Sequence, residues 1–179
     1  MTGTDRPLVF LDVDGPLIPF GDPPPGGYPV HRSPYVRPGT VPGGNPLITR
    51  VDPELGRRLL GLPGDPVWAT TWFEDANECL APWLGLPRLP VVPWPVDEPA
   101  PADGPDGPTG RAGLHGKTRA LVAWADGRPF AWVDDEITAA DRRWVAAHSP
   151  APALLHRVDH RRGLTEADFT ALDAWLRTV

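Results

Sequence analysis

Two acid pairs stand where apolar runs end. The first, Asp12-Val13-Asp14-Gly15, follows Leu8-Val9-Phe10-Leu11, and the second, Asp134-Asp135, follows Phe130-Ala131-Trp132-Val133. Side chains of an extended chain alternate between faces, so Asp12 and Asp14 are expected to share a side while Val13 points away. Like charges held close are unfavourable unless a cation, a lysine or a shared proton compensates them, so the motif asks for a metal such as Mg²⁺. Gly15 permits a tight exit from the strand. An EF-hand loop also opens Asp-x-Asp, but here the place of its third acidic ligand is taken by Pro16 and no helix fits before Asp12.

Two further groups complete a chemistry. Val67-Trp68-Ala69-Thr70-Thr71-Trp72 is a β-prone run that ends in hydroxyls, and Lys117 opens a helical stretch that reaches Ala125. Phosphoryl transfer wants this combination: a metal and a lysine neutralise the phosphate, a hydroxyl donates to it, and an aspartate attacks it in line.

The elements that must bring these residues together alternate along the chain. Asp52 reads as an N-cap with Pro53 and Glu54 in the first turn, and Leu55, Leu59 and Leu60 form the apolar face of a first crossover helix. Glu74 to Leu84 is a second helical segment, bent or restarted at Pro82, and Leu89-Pro90-Val91-Val92 reads as a third strand. Thr138 caps a helix to about His148, Ala153 to Val158 makes a fifth strand, and Thr165-Glu166-Ala167-Asp168 starts a final helix carrying Phe169, Leu172, Trp175 and Leu176. The pattern predicts an α/β fold, Rossmann-like, a three-layer sandwich around a five-stranded parallel sheet. In such a sheet the site lies at the carboxyl ends of the strands, which gathers Asp12, Asp14, Thr70, Thr71, Asp134 and Asp135 at one edge. Lys117 reaches that edge if the preceding loop places its helix start there.

Composition narrows the setting. One domain spanning 1–179 is expected at this length, with proline- and glycine-rich insertions at about 16–50 and 93–113 that hold most of the 26 prolines. The net charge of −6 and pI of about 5.3 argue against a broad basic surface for nucleic acid. The single cysteine, Cys79, excludes a disulfide framework within the chain, and no stretch approaches transmembrane length. With no apolar segment after Met1, a cytoplasmic protein without membrane contact is expected. The stretch 16–50 leaves from the carboxylate end of the first strand without a helix, and is placed to act as a lid. Within it Tyr28, His31, Arg32, Tyr35 and Arg37 are candidates to meet an anionic or aromatic substrate.

In order and type these residues resemble the four motifs of the haloacid dehalogenase superfamily of phosphohydrolases, here Asp12-Val13-Asp14-Gly15, Thr70, Lys117 and Asp134-Asp135. The resemblance covers nearly the whole chain. It implies Asp12 as the nucleophile that forms an aspartyl-phosphate, and Asp14 as the acid for the leaving oxygen and then the base for water. Thr70, in preference to Thr71, would hold a phosphoryl oxygen, and Lys117 would offset the charge. Mg²⁺ would sit on Asp12, Asp135, Asp134 and the Asp14 carbonyl. Because Asp14 is present, a phosphatase outranks a dehalogenase, whose halide leaves without protonation.

A narrower resemblance is to small members of the superfamily with a Trp-Ala-Thr-x-Trp second motif, here Trp68 to Trp72. It brings in a nucleic-acid-end phosphatase as an alternative, which the acidic balance does not favour, alongside a phosphotransferase and, from another class, a non-catalytic binding module of the same fold. The insertion after the first motif is too short and proline-rich for a full cap domain, so selection of a phosphorylated small molecule or nucleotide falls to loops, a partner chain or the substrate itself. Trp72 either stacks on a ring or packs on the next helix. Gly15, Thr71, His115 and Arg161, with Arg157, His160 and Arg162 near the fifth strand, complete the candidate substrate contacts.

Overall fold

The computed structural model describes residues 6–94 and 114–179. Apolar runs bounded by Pro, Gly and acids become the strands β1 (Leu8–Leu11), β2 (Asp65–Trp68), β3 (Phe130–Asp134) and β4 (Ala153–Arg157). All pair in parallel, in the order β2-β1-β3-β4, so the strand carrying the first acid pair lies between two others. Leu8 to Leu11 stand opposite Phe130 to Val133 in register, which brings both acid pairs to the same carboxyl edge.

Alternation along β1 and β3 explains the layers. Val9, Leu11, Ala131 and Val133 enter one core with Leu55 and Leu59 of α1 (Glu54–Gly61), Trp83 and Leu84 of α2 (Ala81–Leu84), and Phe169, Leu172 and Leu176 of α5 (Glu166–Leu176). Leu8, Phe10, Phe130 and Trp132 enter the other, with Leu121 and Ala125 of α3 (Thr118–Ala125) and Val145 of α4 (Ala139–His148). Helices therefore cover both faces, as a parallel sheet requires. Val13 is fully buried in the first core, as alternation predicts. Burying β1 and β3 on both faces is the main local source of stability, at about 1.5–3 kcal/mol per large apolar side chain.

Among the described residues the sheet has four strands, not the five expected. Leu89 to Val92 makes only one parallel bridge, Val91 to Trp68, in which the Trp68 amide donates to the Pro90 carbonyl at 2.8 Å and the Val92 amide to the Trp68 carbonyl at 2.9 Å. Pro87, Pro90 and Pro93 remove the amide donors that a full ladder would use. The second strand also stops earlier than Thr71. After the Ala69 amide reaches the Leu11 carbonyl at 2.8 Å, the Thr70 hydroxyl accepts the Trp72 amide at 3.2 Å and turns the chain out of the sheet.

Both capping signals hold. Thr138 with Asp141 and Thr165 with Asp168 form capping boxes at the starts of α4 and α5. At α1 the Asp52 carboxylate accepts the Glu54 amide at 3.0 Å, but Leu60 is 48% exposed and does not join Leu55 and Leu59 in the core. The segment before α2 is a wide π turn, Ala76–Leu80, and Pro82 falls in the first turn of α2, where its missing N–H costs nothing. Residues 16–50 carry no α-helix, only the short turns Pro42–Gly44 and Pro46–Arg50. Of the second proline-rich stretch, residues 95–113 lie outside the described residues. No helix among the described residues is long and apolar enough to cross a membrane.

Candidate active site

Lys117 is the hub of the carboxyl edge. Its Nζ lies 2.8 Å from Asp12 Oδ2 and 2.8 Å from Asp134 Oδ2, and the residue is 2% exposed. The Asp12 amide donates to the Val133 carbonyl at 3.0 Å, so the nucleophile candidate is fixed to the strand that carries its neighbour acids. Ligand atoms of Asp12, Asp134 and Asp135 lie within 4.8 Å of one another. Asp14 stands outside this cluster: β1 ends at Leu11, and Asp14 makes an isolated bridge with Ile18 in the turn that follows.

Three buried carboxylates face one ammonium, and the protonation balance reflects it. Burial pushes the Asp12 carboxyl up to about 7, Asp134 adds to the rise, and Lys117 pulls against both. Burial alone would lower the Lys117 pKa, but Asp12 and Asp134 outweigh it and hold the ammonium above its ordinary value. Asp135 is raised by burial and then by Asp134. Asp134, wholly buried, accepts the Trp132 indole N–H at 3.2 Å on Oδ2 and the Glu136 amide at 2.9 Å on Oδ1. The ring of Trp94 lies 5.6 Å from Lys117 Nζ, within cation–π range.

The turn before α3 places Lys117. The His115 ring accepts the Lys117 amide on Nδ1 at 3.1 Å, which leaves Nε2 to carry the ring proton toward Glu136 at 3.2 Å. Beneath it, buried Asp141 accepts the His115 amide at 2.7 Å and the Thr118 hydroxyl at 2.5 Å on Oδ1, and the Thr138 amide at 2.8 Å on Oδ2. Burial would raise the Asp141 pKa, but these donors more than reverse it and hold it below the usual carboxylate range. Asp141 thus ties the lysine turn to the loop after β3. Both nitrogens of His115 thus have partners within the fold.

Gly15 joins the two acid pairs. Its φ of 87° suits glycine, and a Cβ there would lie 2.5 Å from the Asp135 carboxyl carbon. At the end of β2, Thr70 is fully buried and Thr71 exposed. Trp72 is half-buried, and its indole Nε1 donates to Asp14 Oδ2 at 2.9 Å. The following residue, Phe73, holds a φ of 46° and packs its ring 4.9 Å from Trp94.

The stretch 16–50 stands over the opposite side of the edge. A cleft of about 500 Å³ opens between it, α1 and residues 161–165, lined by Tyr28, His31, Arg50, Arg58, Arg161 and Arg162, among others, with Asp52 and Glu54 in the same wall. None of Asp12, Asp14, Thr70, Lys117, Asp134 and Asp135 lines it. Most of its guanidinium groups are already engaged: Arg50 with the Pro19 carbonyl and the Tyr28 ring, Arg58 with Glu166 and Phe169, Arg161 with Asp22. His31 and Arg161 therefore share a cleft that the acid cluster does not line, whereas Arg32 is simply exposed. Arg157 donates to the Asp135 carbonyl at 2.8 Å, and His160 stacks on Phe20 at 4.8 Å.

Comparison of the chain with family models, curated proteins and solved structures finds no match in any of the three. The geometry alone carries the reading. It adds residues that the sequence did not single out: Trp94 over the lysine, Trp132 on Asp134, and Asp141 beneath the lysine turn. Trp132 had a usable signal, since residues two apart in a strand share a face. Asp141 also had one, as the third residue after a capping threonine, but that signal speaks of a helix start and says nothing of His115.

Proposed function

We propose that the chain is an Mg²⁺-dependent phosphomonoester hydrolase of the haloacid dehalogenase type, with Asp12 as nucleophile. The observation that carries this reading is Lys117 Nζ at 2.8 Å from both Asp12 and Asp134, with Asp135 in the same cluster, at the carboxyl ends of adjacent parallel strands. A purely structural ion pair needs one carboxylate for one lysine; the surplus of buried negative charge fits a hard, oxygen-seeking cation. Asp12 and Asp135 would hold Mg²⁺, with Asp134 and the Asp14 carbonyl beside them. Bound there, the ion would offset the carboxylate charge and draw electron density from the phosphoryl oxygens.

The chain's own residues divide the remaining work. Asp12 attacks phosphorus as the bond to the ester oxygen breaks, and Asp14 gives that oxygen its proton, releasing an alcohol and leaving an acyl phosphate on Asp12. Water then attacks phosphorus, Asp14 takes a proton from it, and the phosphorus–oxygen bond to Asp12 breaks to release inorganic phosphate. Thr70 is buried at the strand end, and among the described residues its hydroxyl serves only as acceptor for the Trp72 amide, so its proton is available to a phosphoryl oxygen. Lys117 neutralises charge on the nucleophile and on the transferred group.

Phosphate release from p-nitrophenyl phosphate and from a panel of phosphorylated metabolites and nucleotides, with and without Mg²⁺, tests the proposal. Metal-dependent turnover that disappears in Asp12→Asn is expected. Turnover equal in wild type and Asp12→Asn, or none with any ester, overturns it. A panel hit with free acceptor alcohols present also separates hydrolysis from phosphoryl transfer to another alcohol.

A further inference from the structure

Asp14 has one hydrogen-bond donor among the described residues. Asp12 and Asp134 are fixed by Lys117 and Asp135 lies in the cluster with them, but the Asp14 carboxylate is held only by the Trp72 indole, 2.9 Å away and 58 residues along the chain. The contact joins the turn after β2 to the turn after β1. Trp72 is held in its own right: its amide donates to the Thr70 hydroxyl at 3.2 Å, and its ring packs on the core shared by α1, α2 and α5. Trp68, four residues earlier, is fully buried and spends its indole N–H on Asn77 at 3.0 Å. The two tryptophans of one motif thus have different partners, one inside the fold and one at the site.

Resting on the phosphohydrolase reading, we propose that Trp72 is the positioning residue for Asp14, fixing which carboxyl oxygen passes the proton. An indole N–H donates and cannot accept, so Asp14 Oδ2, which faces it, presents a lone pair in that direction. The transferable proton then belongs on Oδ1, the oxygen left free to face the leaving group. Holding the carboxyl plane this way spares the acid a search among rotamers during bond cleavage, and a misplacement of about 1 Å in such a group can cost about 100-fold in rate. The same turn carries Thr70, so the hydroxyl that meets the phosphoryl oxygen and the indole that aims the acid are set by one piece of backbone.

The chemistry supplies a readout that loss of packing does not mimic. A leaving alkoxide needs the proton, whereas p-nitrophenolate leaves well without it. In Trp72→Phe, which keeps an aromatic ring and removes the N–H, kcat on an alkyl ester such as glycerol phosphate is expected to fall about 10- to 100-fold, with KM little changed. On p-nitrophenyl phosphate the fall is expected to be several-fold smaller. Equal losses on the two esters, or a loss confined to KM, overturn the proposal.

A second measurement needs no turnover. In protein carrying ¹⁵N-labelled tryptophan, the indole resonance that vanishes in Trp72→Phe is expected to move in Asp14→Ala while the other indole signals stay in place. A Trp72 resonance indifferent to Asp14→Ala overturns the proposal even if phosphatase activity is found. Absence of turnover in wild type with that resonance still coupled to Asp14 removes the phosphatase reading and the catalytic role together, leaving a structural contact.

Discussion

The carboxyl ends of β1 and β3 each present two acids, yet they are built in opposite ways. At β3 the first acid, Asp134, is wholly buried and accepts hydrogen bonds from Lys117, Trp132 and the Glu136 amide. At β1 the second acid, Asp14, is only half-buried and is held by Trp72 alone among the described residues. The β3 end is a fixed base on which charge is arranged, and the β1 end keeps one carboxylate with an oxygen to spare. Strand-end acids of identical sequence type are therefore built differently, one holding a lysine and the other keeping an oxygen free for the proton exchange proposed above.

The largest effect expected from that contrast is on stability at the β3 end. Asp134→Ala leaves Lys117 buried with one partner fewer and two indole and amide donors unmatched, and should cost about 3–5 kcal/mol in denaturant unfolding. A loss under about 1 kcal/mol would mean that the β3 end is not the firm half. Gly15→Ala comes next: a Cβ in contact with the Asp135 carboxyl, on a backbone at φ 87°, should cost about 1–3 kcal/mol and weaken Mg²⁺ binding measured by calorimetry.

The acid limb of the stability curve gives a third, smaller separation. Asp141 supports the β3 side, and its folded pKa is lowered, as is that of Asp168, where Thr165 and His156 outweigh burial. A carboxylate with a depressed folded pKa contributes stability that is present above its unfolded value, about 4, and lost as pH falls toward the folded value. Asp141→Asn should therefore lower the stability at pH 7 and flatten its fall below about pH 4, as read by thermal melting across pH. The smallest stability change is expected at the β1 end. Asp14→Asn keeps the side chain's size and an oxygen for Trp72, and should shift unfolding by less than about 1 kcal/mol while removing turnover on alkyl phosphates.

Much of the frame was legible because its signals are local. Apolar runs stopping at acids located β1 and β3, Thr138 located the start of α4, and Thr165 with Asp168 located that of α5. The false third strand came from reading Leu89 to Val92 by side-chain type; the prolines within and beside it decide the matter through the backbone donors they lack. Leu60 stays 48% exposed although Gly56, one turn before it, packs against the Leu84 backbone, and nothing in the structure explains the difference.

At the site, Asp12, Lys117, Asp134 and Asp135 were readable from type and order, and the fold gathers them. What holds them was not readable. The bond from Trp72 to Asp14 spans 58 residues and that from the His115 amide to Asp141 spans 26, and neither leaves a pattern in its own neighbourhood. That Thr70 is buried and Thr71 exposed was likewise not readable, because it depends on where the second strand stops.

The place of β1 between β2 and β3 also sets an order of events during synthesis. A chain leaving the ribosome completes β1 and β2 long before residue 117, and two short strands are marginal alone. Asp12 meets neither its lysine nor Asp134 until more than a hundred further residues have emerged. Consolidation of the sheet and assembly of the charged cluster then fall in one late step, so a nascent chain halted before β3 carries Asp12 without the acids that surround it in the fold.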